Sequence, residues 1–125
     1  MTKPSIFYVY VYAHCGVPVY VGKGKNGRAW AHLRRSSNAA LAAFLAQHDD
    51  ITPDIVFRTH DELEALSLER ALICLYGRVN KGTGTLFNLA SGGGVAGKPA
   101  VAAVVQRAFD ILRDRDFIKF WWKVN

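Results

Sequence analysis

With 125 residues, half of them apolar, the chain has enough material for one domain around a single modest core, which argues against intrinsic disorder. Against 10 Asp and Glu stand 16 Lys and Arg, and the resulting net charge of +6 favours a polyanionic partner such as nucleic acid. No run of about 18 apolar residues and no charged-then-apolar leader is present, so a membrane span and secretion are not expected; Cys15 and Cys74 are too few for a disulfide framework and read as free thiols of a cytoplasmic, reducing setting.

The first element is a hairpin over residues 6 to 22. Alternation puts Ile6, Tyr8, Tyr10 and Tyr12 on one side of its first strand and Phe7, Val9 and Val11 on the other. A three-residue loop, His14-Cys15-Gly16, is predicted, because glycine takes the left-handed last position without steric penalty. Ala13 would then pair with Val17, Val11 with Val19, and Tyr10 with Tyr20, whereas a two-residue loop would move Tyr20 to the valine face. The tyrosine face is expected to look onto a wet, basic surface. Gly22 to Gly27 forms a doubly basic loop carrying Lys23 and Lys25, and a helix follows from about Arg28 to Arg35 with Arg28, His32 and Arg35 on one face.

A second, alanine-rich helix starts after Asn38, a good N-cap, and Ile55 to Thr59 reads as a third strand. Thr59-His60-Asp61-Glu62 matches a capping box that opens a helix ending near Tyr76-Gly77. A basic, glycine-rich excursion over residues 78 to 85 leads to Leu86-Phe87-Asn88-Leu89, and Ser91 to Gly94 reads as a hinge. Pro99 suits the first turn of a last helix whose stripe is Val101, Val104, Val105, Ala108, Ile111 and Leu112. Phe117, Phe120, Trp121 and Trp122 crowd the end, where they complete the core or form an exposed patch suited to a protein partner or a homodimer.

Glu69 is the most informative single residue, because its helical neighbours Ala65, Leu66, Leu72 and Ile73 are apolar. A carboxylate in that stripe needs a cation, which a metal ion or an arginine such as Arg28 would supply equally well. Tyrosine phenols beside a basic surface can bind phosphate or, once deprotonated, accept a proton, although aromatic cross-strand pairs also stabilise sheets without chemistry. His32 lies one helical turn from Arg28, over the same site. His14, His48 and His60 read as turn or surface residues. Gly22-x-Gly24-x-x-Gly27 spells a dinucleotide fingerprint, but its strand is the second arm of a hairpin rather than part of a parallel unit and the nearest acids downstream are Asp49 and Asp50, so lysine contacts to phosphate are the better reading.

Tyr8-Val9-Tyr10, then Tyr20-Val21-Gly22-Lys23-Gly24, Arg28 with His32, Glu69, Leu75-Tyr76-Gly77-Arg78, Gly82-Thr83-Gly84 and Asn88-Leu89 together resemble the GIY-YIG nuclease superfamily over about residues 6 to 94. The first signature is degenerate, with Tyr8 where the family name has glycine. The resemblance implies an α/β (α+β) domain over residues 1 to 98, a small three-stranded antiparallel sheet flanked by helices, with residues 99 to 125 as a helical extension packed on it. It implies a metal-dependent DNA endonuclease in which Tyr10 is the general base, His32 takes the phenolic proton and Tyr20 orients nucleophile or phosphate. Arg28 would neutralise the transition state, and Glu69 would hold one divalent metal, Mg²⁺ or else Mn²⁺. Lys23, Lys25, Arg35 and Asn88 would contact the nucleic acid, with Asn80 as the alternative family asparagine. The rival from another class is a catalytically weak or partner-dependent nucleic-acid-binding module.

Overall fold

The turn at Cys15 and Gly16 decides how the sheet is built. In the computed structural model, which describes residues 5–90 and 102–115, strands β1 (Phe7–His14) and β2 (Val17–Gly24) are joined by these two residues alone. Both are left-handed, with φ of 51° and 79°, the combination whose twist suits a tight hairpin. The three-residue loop is therefore corrected to two, with His14 paired to Val17 and Ala13 to Pro18.

Such a turn on its own would carry Tyr20 to the valine face. The register instead slips by one residue between Tyr12 and Ala13, beside Pro18, which has no N–H to give to a ladder. Beyond the slip Tyr12 faces Tyr20, Val11 faces Val21, Tyr10 faces Gly22 and Tyr8 faces Gly24. Tyr10 is thus paired with Gly22 rather than with Tyr20. Turn and bulge each displace the pairing by one, the two displacements add to two, and Tyr20 stays on the tyrosine side.

Strand β3 (Pro53–Thr59) pairs antiparallel with the other side of β1, giving the order β2-β1-β3. It begins two residues before the predicted start. The predicted helix at Arg28 is a 3₁₀ turn, Asn26–Trp30, continued by the short α1 (Ala31–Arg34). Helix α2 (Ala39–Gln47) has the expected cap, the Asn38 side chain accepting the Leu41 N–H at 3.1 Å. Helix α3 (Glu62–Tyr76) starts differently: Asp61, not Thr59, is its cap and accepts the Leu63 N–H, while the Thr59 hydroxyl accepts the Asp61 N–H. Thr59 still belongs to the strand, so the capping role falls to the next short acceptor at the helix threshold. Gly77 ends the helix, with φ of 74°.

The sheet is covered on both faces. Val9, Val11 and Val21 pack with Ala65, Leu68, Ala71, Leu72 and Ile73 of α3 and with Ala108, Ile111 and Leu112 of α4 (Ala102–Asp114). On the other side Tyr8, Tyr10, Tyr12 and Val19 pack with Ala29, Leu41 and Ile51. The expectation of a wet tyrosine face is corrected here, since Tyr10 is 1% and Tyr12 0% exposed beneath the 3₁₀ turn and α2. The architecture is the α+β one expected, a three-stranded antiparallel sheet flanked by helices, and no described helix is long and apolar enough to cross a membrane. The Ser91 to Gly94 hinge, Pro99, Val101 and the aromatic group Phe117, Phe120, Trp121 and Trp122 lie outside the described residues.

Candidate active site

The tyrosine face builds the site by holding down the turn that carries Arg28. Tyr8 accepts the Ala29 N–H at 2.8 Å and donates to the Asn26 carbonyl at 2.7 Å, while Tyr12 donates to the Ala29 carbonyl. Three backbone groups of the turn are thereby bound by phenols. The glycines of Tyr20-Val21-Gly22-Lys23-Gly24 serve the same end. A Cβ on Gly22 would collide with the Tyr10 phenol, and one on Gly24 would come within 2.5 Å of the Arg28 Cβ and Cγ. Absent side chains there let the Tyr10 ring and the Arg28 stem cross the strand closely. This accounts for Gly22 and Gly24 without any nucleotide, while Gly27 meets no such constraint.

Arg28, exposed on that turn, reaches a cavity of about 340 Å³ that is also lined by Tyr20, His32, Ser37, Asn38, Glu69, Ile73, Asn88, Leu89 and Ala90. Four elements meet there: β2 contributes Tyr20, the 3₁₀ turn Arg28, α1 His32 and α3 Glu69. Glu69, expected within a buried stripe, stands at its margin; Ala65, Leu72 and Ile73 are buried while Glu69 is half-buried in the cavity wall.

Electrostatics separate the phenols. Burial pushes the Tyr10 hydroxyl far above its ordinary value of 10, with Tyr20 and Tyr12 adding to the rise. Tyr12 is pushed up to about 12 by burial and by Tyr20. Tyr20, half-buried, is raised by burial and then by Glu69, with Arg28 pulling the other way. Its ring lies 4.7 Å, centroid to centroid, from His32 and 6.3 Å from Tyr10. His32 is held below 6.5 by burial first and Arg28 second, and Nδ1 pairs with the Ser36 hydroxyl at 2.8 Å. Its chemistry toward the cavity therefore rests on Nε2.

Asn88 sits in the wall in a different capacity. Its carboxamide accepts the Val21 N–H at 3.0 Å and donates to the Val21 carbonyl at 2.7 Å, standing in for a neighbouring strand. Phe87 N–H donates to the Val19 carbonyl and the Thr85 hydroxyl to the Pro18 carbonyl, so residues 85–88 follow the outer edge of β2. Asn80 lies apart, exposed near Leu89.

Tyr10 does not line the cavity. Lys23 turns toward α3 and pairs with Glu62 at 3.0 Å, and both Lys23 and Lys25 lie near the Phe7 ring. Arg35 is exposed just after α1, outside the cavity lining. Asn38 is a wall residue that capping alone did not suggest: its Nδ2 donates to the Phe87 carbonyl at 2.8 Å and so ties α2 to the β2 edge segment. The 49-residue separation of that bond leaves no local trace in the sequence. Comparison with models of known families, with curated proteins and with solved structures finds no match to this chain.

Proposed function

We propose that the chain is a metal-dependent endonuclease that hydrolyses DNA phosphodiester bonds, the activity its resemblance to GIY-YIG nucleases implies. The observation that supports this reading is the convergence of Tyr20, Arg28, His32 and Glu69 on one cavity of a basic chain. Phosphodiester hydrolysis asks for a proton acceptor, a fixed cation near the charge that develops on phosphorus, and a hard anionic ligand for a divalent ion. The four residues provide all three.

Tyr20 replaces Tyr10 as the preferred base, because it lines the cavity while Tyr10 is buried and does not. A phenol held above its usual range is not a standing phenolate. It works as a relay, giving its proton to neutral His32 as it takes one from the attacking water. Arg28 stabilises the transition state as a guanidinium that stays charged throughout. Glu69 is the one carboxylate among the described lining residues, a hard oxygen donor that fits Mg²⁺ or Mn²⁺, since such ions keep most positions for water and substrate phosphate. When bound, the ion would supply Lewis-acid stabilisation at the leaving oxygen. Asn88 holds the cavity wall through Val21 and is a positioning residue.

Incubation of supercoiled plasmid with Mg²⁺ tests the reading. The parent chain should nick the DNA, and Glu69→Gln should lower the rate by roughly 10²-fold or more. Equal nicking by both, or none by the parent, overturns it. The upward-shifted Tyr20 phenol favours one alternative, a catalytically weak nucleic-acid-binding module in which it remains a hydrogen-bond donor to phosphate. That reading implies retention of the plasmid by the parent chain without nicking.

A further inference from the structure

At the C-terminal end of β1 the fold assembles a second group of metal-ligating side chains, none of which lines the cavity. His14 is the last residue of β1, His48 is the C-terminal cap of α2, and Asp50 lies in the link to β3. One ligand atom from each lies within 4.8 Å of the others. The two imidazoles face each other with ring centroids 4.1 Å apart, and Phe44 packs against both, at 5.7 Å from His14 and 4.3 Å from His48.

We propose that His14, His48 and Asp50 form a binding site for a borderline-soft divalent ion, Zn²⁺ above all, independent of Glu69. His14 carries the argument. Its Nδ1 is buried without a hydrogen-bond partner, although an Asp50 carboxylate oxygen is 3.4 Å away. Nε2 lies 3.5 Å from Cys15 Sγ, and in the tautomer that carries its proton there the Nδ1 lone pair is free to meet an ion beside Asp50. A simple ion pair between His14 and Asp50 makes no use of the His48 ring nitrogens, which an ion would bring in. A single ion between the three satisfies the orphaned nitrogen and uses both imidazoles in their neutral form.

The donor set selects the ion. Two imidazoles and one carboxylate match zinc and its neighbours rather than Mg²⁺ or Ca²⁺, which prefer all-oxygen shells. Tetrahedral zinc at about 2.0–2.1 Å from each donor holds them roughly 3.3 Å apart, so the widest-spaced donors close by up to about 1.5 Å to bind. Asp50 is the mobile partner, its side chain 60% exposed, and the fourth position falls to water on the solvent side. The bound ion would staple the hairpin tip to the α2–β3 link, beside the buried Ile51.

The test uses the full chain with Zn²⁺ alone, followed by calorimetry and thermal denaturation with and without chelator. Glu69→Gln, which removes the cavity carboxylate, should still bind one Zn²⁺ per chain and melt higher with zinc than without. Asp50→Asn, an exposed change that leaves packing intact, and His48→Gln should each weaken binding at least tenfold and abolish the zinc-dependent rise. Unchanged Zn²⁺ affinity in both of these variants, or no binding by Glu69→Gln, overturns the proposal. Plasmid nicking does not enter either readout, so failure of this site and failure of the nuclease reading are told apart.

Discussion

His32 links the candidate site to pH with a definite sign. Burial and the Arg28 charge hold its folded-state pKa below the 6.5 it has when unfolded, so the folded chain binds fewer protons in the window below 6.5. Its contribution to stability is fully present above pH 6.5 and is lost as the pH falls through the folded value. A proton titration of the His32 ring by NMR should therefore give a midpoint below 6.5 that moves upward in Arg28→Gln; a midpoint that does not move would exclude the arginine as a cause. The proximity behind this coupling was legible in the sequence, because four residues along a helical segment bring two side chains to one face. Glu69 was legible too, as a carboxylate among apolar neighbours. The division of labour among the tyrosines was not. Alternation assigns Tyr8, Tyr10, Tyr12 and Tyr20 a common side of the sheet, but it carries no information about what covers that side. The covering by Ala29 and Leu41 is what leaves only Tyr20 facing the cavity. Lys23 escaped for a related reason: it sits on a basic loop in sequence, yet its strand position turns it to the face where Glu62 waits.

Among the elements, the 3₁₀ turn Asn26–Trp30 depends on phenols from a strand 17 to 21 residues away. Tyr8→Phe keeps the ring packing and removes the acceptor of the buried Ala29 N–H, which should cost about 1–3 kcal/mol. Urea denaturation measures that loss, and plasmid nicking should fall with it because the turn no longer fixes Arg28. If stability drops while nicking is unchanged, the turn does not position the arginine. The three strands, α2, α3 and α4 were legible, since each has its own period and punctuation, whereas the helix expected from Arg28 is largely a 3₁₀ turn and the 3₁₀ turn at Val79–Lys81 left no such signal. Boundaries were less secure. The capping box at Thr59 failed because β3 pairs with Phe7 of β1 through Thr59 itself, and a residue still held in a ladder cannot open a helix. The hairpin loop failed by one residue because local turn preference was weighed without Pro18, whose missing donor favours a bulge nearby. The two one-residue differences add to a shift of two, which restores the face but not the partner, so Tyr20 lies on the expected side opposite Tyr12.

At the scale of the whole molecule, α4 closes the valine-side core. Ala108, Ile111 and Leu112 are buried against α3, and Arg115 pairs with Asp54 of β3 beyond the end of the helix. Ile111→Ala should therefore destabilise the chain by about 2–5 kcal/mol, read as a lower midpoint in thermal or denaturant unfolding. A change within about 0.5 kcal/mol would mean that α4 is not part of the cooperative unit. The stripe that docks α4 was plain in the sequence as Val104, Ala108, Ile111 and Leu112 at helical spacing, and the class of fold followed from three short strands interleaved with amphipathic helices. What spacing could not convey was any contact made by residues far apart in the chain, such as Asn38 with Phe87 or His14 with His48. Another such contact sets how the molecule behaves in company. A sheet whose rim strand keeps unspent peptide groups invites an extended segment of a neighbouring molecule to add itself, and then another. Between Pro18 and Val21 of β2, the Pro18 and Val19 carbonyls and both Val21 groups are already taken by Thr85, Phe87 and the Asn88 carboxamide, and Pro18 has no N–H to offer. The amide that steadies the cavity wall thus also closes this stretch of the sheet to lateral growth, guarding it against self-assembly into fibres.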